Sequence, residues 1–197
     1  LSAVSDASCI GTFSGAATII TTALPTATLT GGGTICSGDP IPDMIVTLTG
    51  TAPWSITYTD GVTPVTESGI MTSPYTISGA GDGSYVLSAV SDGSCIGTFS
   101  GAAAIITTPL PTATLSGGGT ICSGDPIPDM TVTLTGTAPW SITYTDGVTP
   151  VTESGIMTSP YTISGAGDGS YVLSAVSDGS CIGTFSGAAT IITTALP

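Results

Sequence analysis

Apolar and polar residues alternate along most of this chain. Met44, Val46 and Leu48 alternate with Ile45, Thr47 and Thr49, and Trp54, Ile56 and Tyr58 alternate with Ser55, Thr57 and Thr59. Tyr85, Leu87 and Ala89 alternate with Val86, Ser88 and Val90. A period of two describes a β-strand with one face toward a core and a Thr- and Ser-rich face toward water. No stretch has helical periodicity, and strong helix formers such as Lys, Arg and Gln are missing altogether. Turn residues separate the runs at 31–33, 39–43, 60–61, 79–83 and 92–93. The pattern predicts strands at 26–35, 44–50, 54–60, about 62–67, 74–78, 84–91 and about 97–108. Seven short strands with a turn every ~8–12 residues read as an all-β, immunoglobulin-like sandwich. Trp54 and Tyr85, with their counterparts Trp140 and Tyr171, are the expected core aromatics.

The pattern repeats. Leu1-Ser-Ala-Val-Ser-Asp-Ala-Ser-Cys9 returns at Leu87–Cys95 and at Leu173–Cys181, a period of 86 residues. The copies differ only at Ala7/Gly93/Gly179, Thr18/Ala104/Thr190, Ala23/Pro109/Ala195, Thr30/Ser116 and Ile45/Thr131. Ile45 becoming Thr131 fits a solvent-facing position, because an unpartnered hydroxyl in a core is costly. With boundaries at Pro25 and Pro111, the expected organisation is the end of one repeat (1–25), then complete repeats at 26–111 and 112–197. Leu1 opens in mid-pattern with no basic leader, as an internal cut in a longer array would. On this reading residues 1–25 hold the last two strands of a preceding repeat, a hairpin without a sandwich of its own.

Charge narrows the function. The 197 residues include 13 acids and no Lys, Arg or His, a formal net charge of −13. Without cations the chain has no basic footprint for nucleic acid or for anionic membrane surfaces. It also lacks the usual agents of acid–base and nucleophilic catalysis. The mean hydropathy of +0.52 reflects scarce charge; no run reaches the ~18–20 apolar residues of a spanning helix. Paired-carboxylate chemistry fits poorly with acids placed in turns. Near-identical tandem copies serve reach or avidity rather than catalysis. The expectation is a non-enzymatic structural segment of an extracellular filament or adhesin stalk, partnered by neighbouring repeats and by other copies in a fibre. A repeated carbohydrate-binding module is the alternative, and it requires an exposed Trp140.

Three motifs carry a resemblance: Pro-Thr-Ala-Thr-Leu-(Thr/Ser)-Gly-Gly-Gly-Thr-Ile-Cys, Leu-Thr-Gly-Thr-Ala-Pro-Trp-Ser-Ile-Thr-Tyr-Thr-Asp-Gly, and Gly-Ser-Tyr-Val-Leu-Ser-Ala-Val-Ser-Asp-Gly-Ser-Cys. In this order they resemble the Ig-like (PKD-like) repeats of giant secreted surface proteins of Bacteroidota, of which gliding-motility adhesins are the best-known members. The resemblance spans the whole repeat. It implies secretion, a tandem array and a cell-surface or fibre role, and it names no ligand.

Cysteines occur at 9, 36, 95, 122 and 181, two per repeat and one from the partial copy. No CxxC and no His is present to bind zinc, so disulfides in an oxidising compartment are expected. Pairing within each repeat would join Cys36 to Cys95 and Cys122 to Cys181. In a sandwich of this kind, however, the turn after the first strand and the turn before the seventh lie at opposite ends. Strands of about 7 residues hold them ~20 Å apart, against the ~4.4–6.8 Å between Cα atoms that a bridge needs. In a tandem array the first of these turns abuts the second turn of the next repeat. The pairing preferred on geometry is therefore Cys36 with Cys181, across the junction. Asp39, Asp43, Asp60 and Asp82 fall in turns at one end of the sandwich, with Asp178 facing them from the next repeat. They read either as an interdomain Ca²⁺ site or as ordinary turn residues.

Overall fold

The computed structural model describes residues 2–196 and contains fourteen β-strands and no helix among them. The first seven are β1 (Thr26–Cys36), β2 (Met44–Thr49), β3 (Trp54–Thr59), β4 (Pro64–Ile70), β5 (Tyr75–Ile77), β6 (Gly83–Asp92) and β7 (Thr98–Thr108). The second seven are β8 (Thr112–Cys122), β9 (Met130–Thr135), β10 (Trp140–Thr145), β11 (Pro150–Ile156), β12 (Tyr161–Ile163), β13 (Gly169–Ser177) and β14 (Thr184–Thr194). Each set is ordered the same way, β4-β3-β6-β7-β1-β2-β5 and β11-β10-β13-β14-β8-β9-β12. The chain is thus two tandem immunoglobulin-like sandwiches.

In the first sandwich, β4-β3-β6-β7 forms one sheet, and β1 carries the pairing over to β2 and β5. β1 does this because it pairs antiparallel with β2 over Thr26–Gly31 and parallel with β7 from Thr26↔Thr98 to Cys36↔Thr108. Two glycines with positive φ let β1 and β7 pass this closely. A Cβ on Gly32 would meet the Ala104 carbonyl, and one on Gly101 would meet that of Leu29. The core between the sheets holds Leu29, Met44, Val46, Trp54, Ile56, Tyr85 and Ile105, all buried. The second core repeats this set from Leu115 to Ile191.

Two local expectations change. β4 begins at Pro64 rather than near 62, because the Asp60 carboxylate accepts hydrogen bonds from the amides of Val62 (2.9 Å) and Thr63 (3.0 Å) and holds them in a turn. In β6 the alternation breaks after Leu87: Ala89 is exposed, while Val90 is 1% exposed. The β3–β6 register shifts between Thr57 and Tyr58, so one extra β6 residue, Ser88, bulges out and turns the next pair over.

Residues 2–24 contain no strand, only a bridge between Ser5 and Ile10 that recurs as Ser91↔Ile96 and Ser177↔Ile182. The hairpin expected here is reduced to its turn. Ile19 is 94% exposed, whereas its counterparts Ile105 and Ile191 are 1% exposed inside the two cores. Two strands alone bury too little apolar surface to hold together in water.

Candidate interdomain junction

Both cysteine-bearing turns are built by an Asp three residues from the Cys. In the β1–β2 turn, the Cys36 amide donates to Asp39 Oδ2 at 3.3 Å and the Asp39 amide donates to the Cys36 carbonyl at 3.0 Å. The end of β7 holds this turn in place. The Ser37 amide donates to the Thr108 carbonyl at 2.9 Å, and Thr108 Oγ1 donates to the Ile35 carbonyl at 2.9 Å. In the β13–β14 turn, Asp178 Oδ1 accepts from the amides of Ser180 (2.9 Å) and Cys181 (2.8 Å). Burial pushes the Asp178 carboxyl up, but the Cys181, Ser180 and Thr137 amides outweigh it and hold the group below the usual carboxylate range.

These two turns meet. Cys36 and Cys181 form a disulfide with an S–S distance of 2.03 Å and a Cα–Cα distance of 5.7 Å, across 145 residues of sequence. Cys36 Sγ lies 3.5 Å from the Ser180 carbonyl oxygen, and Thr108 Oγ1 lies 3.1 Å from Cys181 Sγ. Cys181 is only 3% exposed. A groove of about 460 Å³ runs beside the bond, between Ser37, Gly38 and Asp39 on one side and Leu110, Ser180 and Ile182 on the other.

The within-repeat alternative is not formed: Cys95 and Cys122 are free, as is Cys9. The register explains why. Cys36 is level with Thr108, whereas Cys95 precedes Thr98, which is level with Thr26. The whole length of β1 therefore separates the two sulfurs, about 30 Å at ~3.3 Å per residue.

The acids expected to gather at this end do not converge. Asp39 caps its own turn, Asp60 holds the turn before β4, and Asp82 accepts from Thr107 Oγ1 at 2.6 Å and from its amide at 3.2 Å. Asp43 uses its backbone carbonyl to accept from the Gly32 amide, and Asp178 serves the Cys181 turn. Among the described residues no three acidic or thiol groups surround a point where a cation could sit. Asp39, Asp60, Asp82 and Asp178 each direct a carboxylate oxygen to nearby amides rather than to one another. What the sequence reading missed is the role of Asp39 and Asp178 in aiming the sulfurs. Its signal was present in the spacings Cys-Ser-Gly-Asp and Asp-Gly-Ser-Cys.

The aromatics are packed inside. Trp140 is 8% exposed and its Nε1 donates to the Thr135 carbonyl at 3.0 Å; Trp54 does the same to Thr49. Tyr85 Oη donates to the Gly81 carbonyl at 2.8 Å and Tyr171 Oη to that of Gly167 at 2.9 Å, the corner that anchors the sixth strand of such sandwiches.

No protein-family profile and no curated protein sequence matches the chain. Among solved structures it is similar to an I-band fragment of titin, I67-I69, with a TM-score of 0.57 and 12% identity over 89% of this chain and 67% of that one. An E-to-A variant of the same three titin domains gives 0.54 and 12%, covering 87% of this chain and 64% of that one. At this identity the likeness is one of fold: immunoglobulin-like domains in tandem.

Proposed function

We propose that this chain is a structural segment of an extracellular filament or cell-surface adhesin stalk, built from 86-residue immunoglobulin-like repeats. The observation that carries this reading is the Cys36–Cys181 bond, which ties one sandwich to the next rather than closing either one. A covalent clamp between neighbours adds nothing to a site inside one domain and adds stiffness to a string of them. The bond also supports a working environment outside a reducing cytosol. The repeats run 26–111 and 112–197, and residues 1–25 belong to a preceding copy. The resemblance of the motifs to the repeats of gliding-type adhesins of Bacteroidota is in line with the same surface role, whose partners would be adjacent repeats and other copies in a fibre. The carbohydrate-binding alternative loses its platform, because Trp54 and Trp140 are both packed into cores. Electron microscopy of the native assembly tests the reading. Unbranched fibres one sandwich wide, with a repeat the length of one domain, are expected; isolated globular particles would overturn it.

A further inference from the structure

The end of the first sandwich that carries Cys95 repeats, group for group, the end of the second sandwich that carries Cys181. Asp92 Oδ1 accepts from the amides of Ser94 (2.9 Å) and Cys95 (2.7 Å), as Asp178 does from Ser180 and Cys181. The incoming chain is seated alike at both ends. The Thr98 amide donates to the Pro25 carbonyl at 3.1 Å, and the Thr184 amide to that of Pro111 at 3.0 Å. Thr22 Oγ1 lies 3.5 Å from Cys95 Sγ, the counterpart of Thr108 beside Cys181. One difference stands out. Cys181 is buried under the Cys36 turn, whereas Cys95 is half-exposed and Thr22 and Ser94 border an open cavity of about 140 Å³. At the opposite end of the molecule, Cys122 sits exposed on a turn built like that of Cys36, with its amide donating to Asp125 Oδ2 at 3.2 Å.

We propose that the Cys95 end is a second docking site, whose occupant is the Thr-Ile-Cys-Ser-Gly-Asp turn of a preceding repeat of the same sequence, sealed by a disulfide to Cys95. Cys122 then offers the same turn to the repeat that follows, so each junction of the array carries one bond. The inference rests on the tandem-array reading. In the bond-forming step, a thiolate of the pair attacks a small-molecule disulfide of the glutathione class, breaking its S–S bond and releasing one small thiol, and the second thiolate then attacks the resulting mixed disulfide and displaces the other. Two S–H bonds are lost and one S–S bond forms between repeats. The two electrons and two protons leave with the reagent as two free thiols.

The test extends the chain at its front with a copy of its own residues 26–86, which completes the repeat ahead of residue 1 and adds a sixth cysteine. After folding in a glutathione redox buffer, the intact mass following thiol alkylation should show two labelled cysteines. The Cys95→Ser variant should show three. Four labelled cysteines with Cys95 among them, in a chain that solution scattering shows to be a three-sandwich rod, would overturn the docking site while leaving the array intact. A compact, non-linear particle would count against the array itself. A second measurement, in the same glutathione redox buffer as oxidant, uses the 197-residue chain unchanged and the peptide Thr-Ile-Cys-Ser-Gly-Asp. Mixed disulfide should form at Cys95 at least about threefold faster than at Cys9, which has the same turn without a sandwich behind it. Equal rates would overturn the proposal.

Discussion

Ile45 and Thr131 occupy the same position in two otherwise matching sandwiches, half-buried on the outer face of the second strand in each. Their neighbours Val46 and Val132 are fully enclosed. The exchange between them shows how narrow the margin is between a position that tolerates change and one that does not. Ile142, with no exposed surface, packs in the second core. Ile142→Ala should cost about 2–5 kcal/mol of unfolding free energy, whereas Ile45→Thr should stay within about 1 kcal/mol. Urea titrations followed by tryptophan fluorescence distinguish the two, and equal losses would place Ile45 in the core. Such positions were readable from alternation alone. Val90 was not: the bulge at Ser88 reverses the pleat, and nothing in the residue types around it announces an extra residue.

At the scale of the element, the pairing of β1 with β7 is the seam that joins the two sheets of each sandwich. Gly101 holds a φ of 84° and faces the Leu29 carbonyl with no room for a side chain. Gly101→Ala should therefore disrupt the parallel ladder and unfold the first sandwich, leaving the second; biphasic unfolding that loses its first-domain phase is the expected readout. The triple-glycine run at 31–33 marked a turn in the sequence, but the structure uses it to keep a strand going past its neighbour. Acidic turns were legible as turns and not as caps. Their carboxylates look like a charge cluster on paper, yet those of Asp39, Asp60 and Asp178 are committed to amides of their own turns and that of Asp82 to Thr107. This commitment has a pH consequence at the junction. Asp178 is held below the usual carboxylate range, so the folded state takes up its proton later than the unfolded chain. Its contribution is present above the unfolded value of about 3.9 and is lost as the pH falls through the lower folded value. The stability advantage of the native chain over Asp178→Asn should therefore shrink as the pH falls below the unfolded value and through the lower folded one. An advantage that grew on acidification would show that the cap is not what the carboxylate supplies.

For the whole molecule, the position of the bond matters more than its presence. The two cysteines are 145 residues apart in sequence, yet one lies at the far end of β1 and the other just before β14. That placement was accessible from topology, because a chain that enters at one end of a sandwich and leaves at the other must juxtapose these two turns at every joint. It has a mechanical corollary. When the molecule is pulled from the start of β1 to the end of β14, the shortest covalent path runs along β1, across the sulfurs and along β14. That path is only ~25 residues, or roughly 80–90 Å of fully extended chain. Two sandwiches in line, each as long as an 11-residue strand, already span close to that distance at ~3.3 Å per residue. Tension therefore passes around both cores, and the intervening residues carry none of it. In single-molecule pulling, the oxidised chain should show no domain-sized increments in contour length before rupture. After reduction, or with Cys36→Ser, each 86-residue repeat should release on the order of 250 Å as it unfolds. The Cys36→Ser chain should keep its two cores, because the bond lies outside both. Two such increments from the oxidised chain would mean that the bond does not carry the load, and the stiffness assigned to the array would have to come from elsewhere.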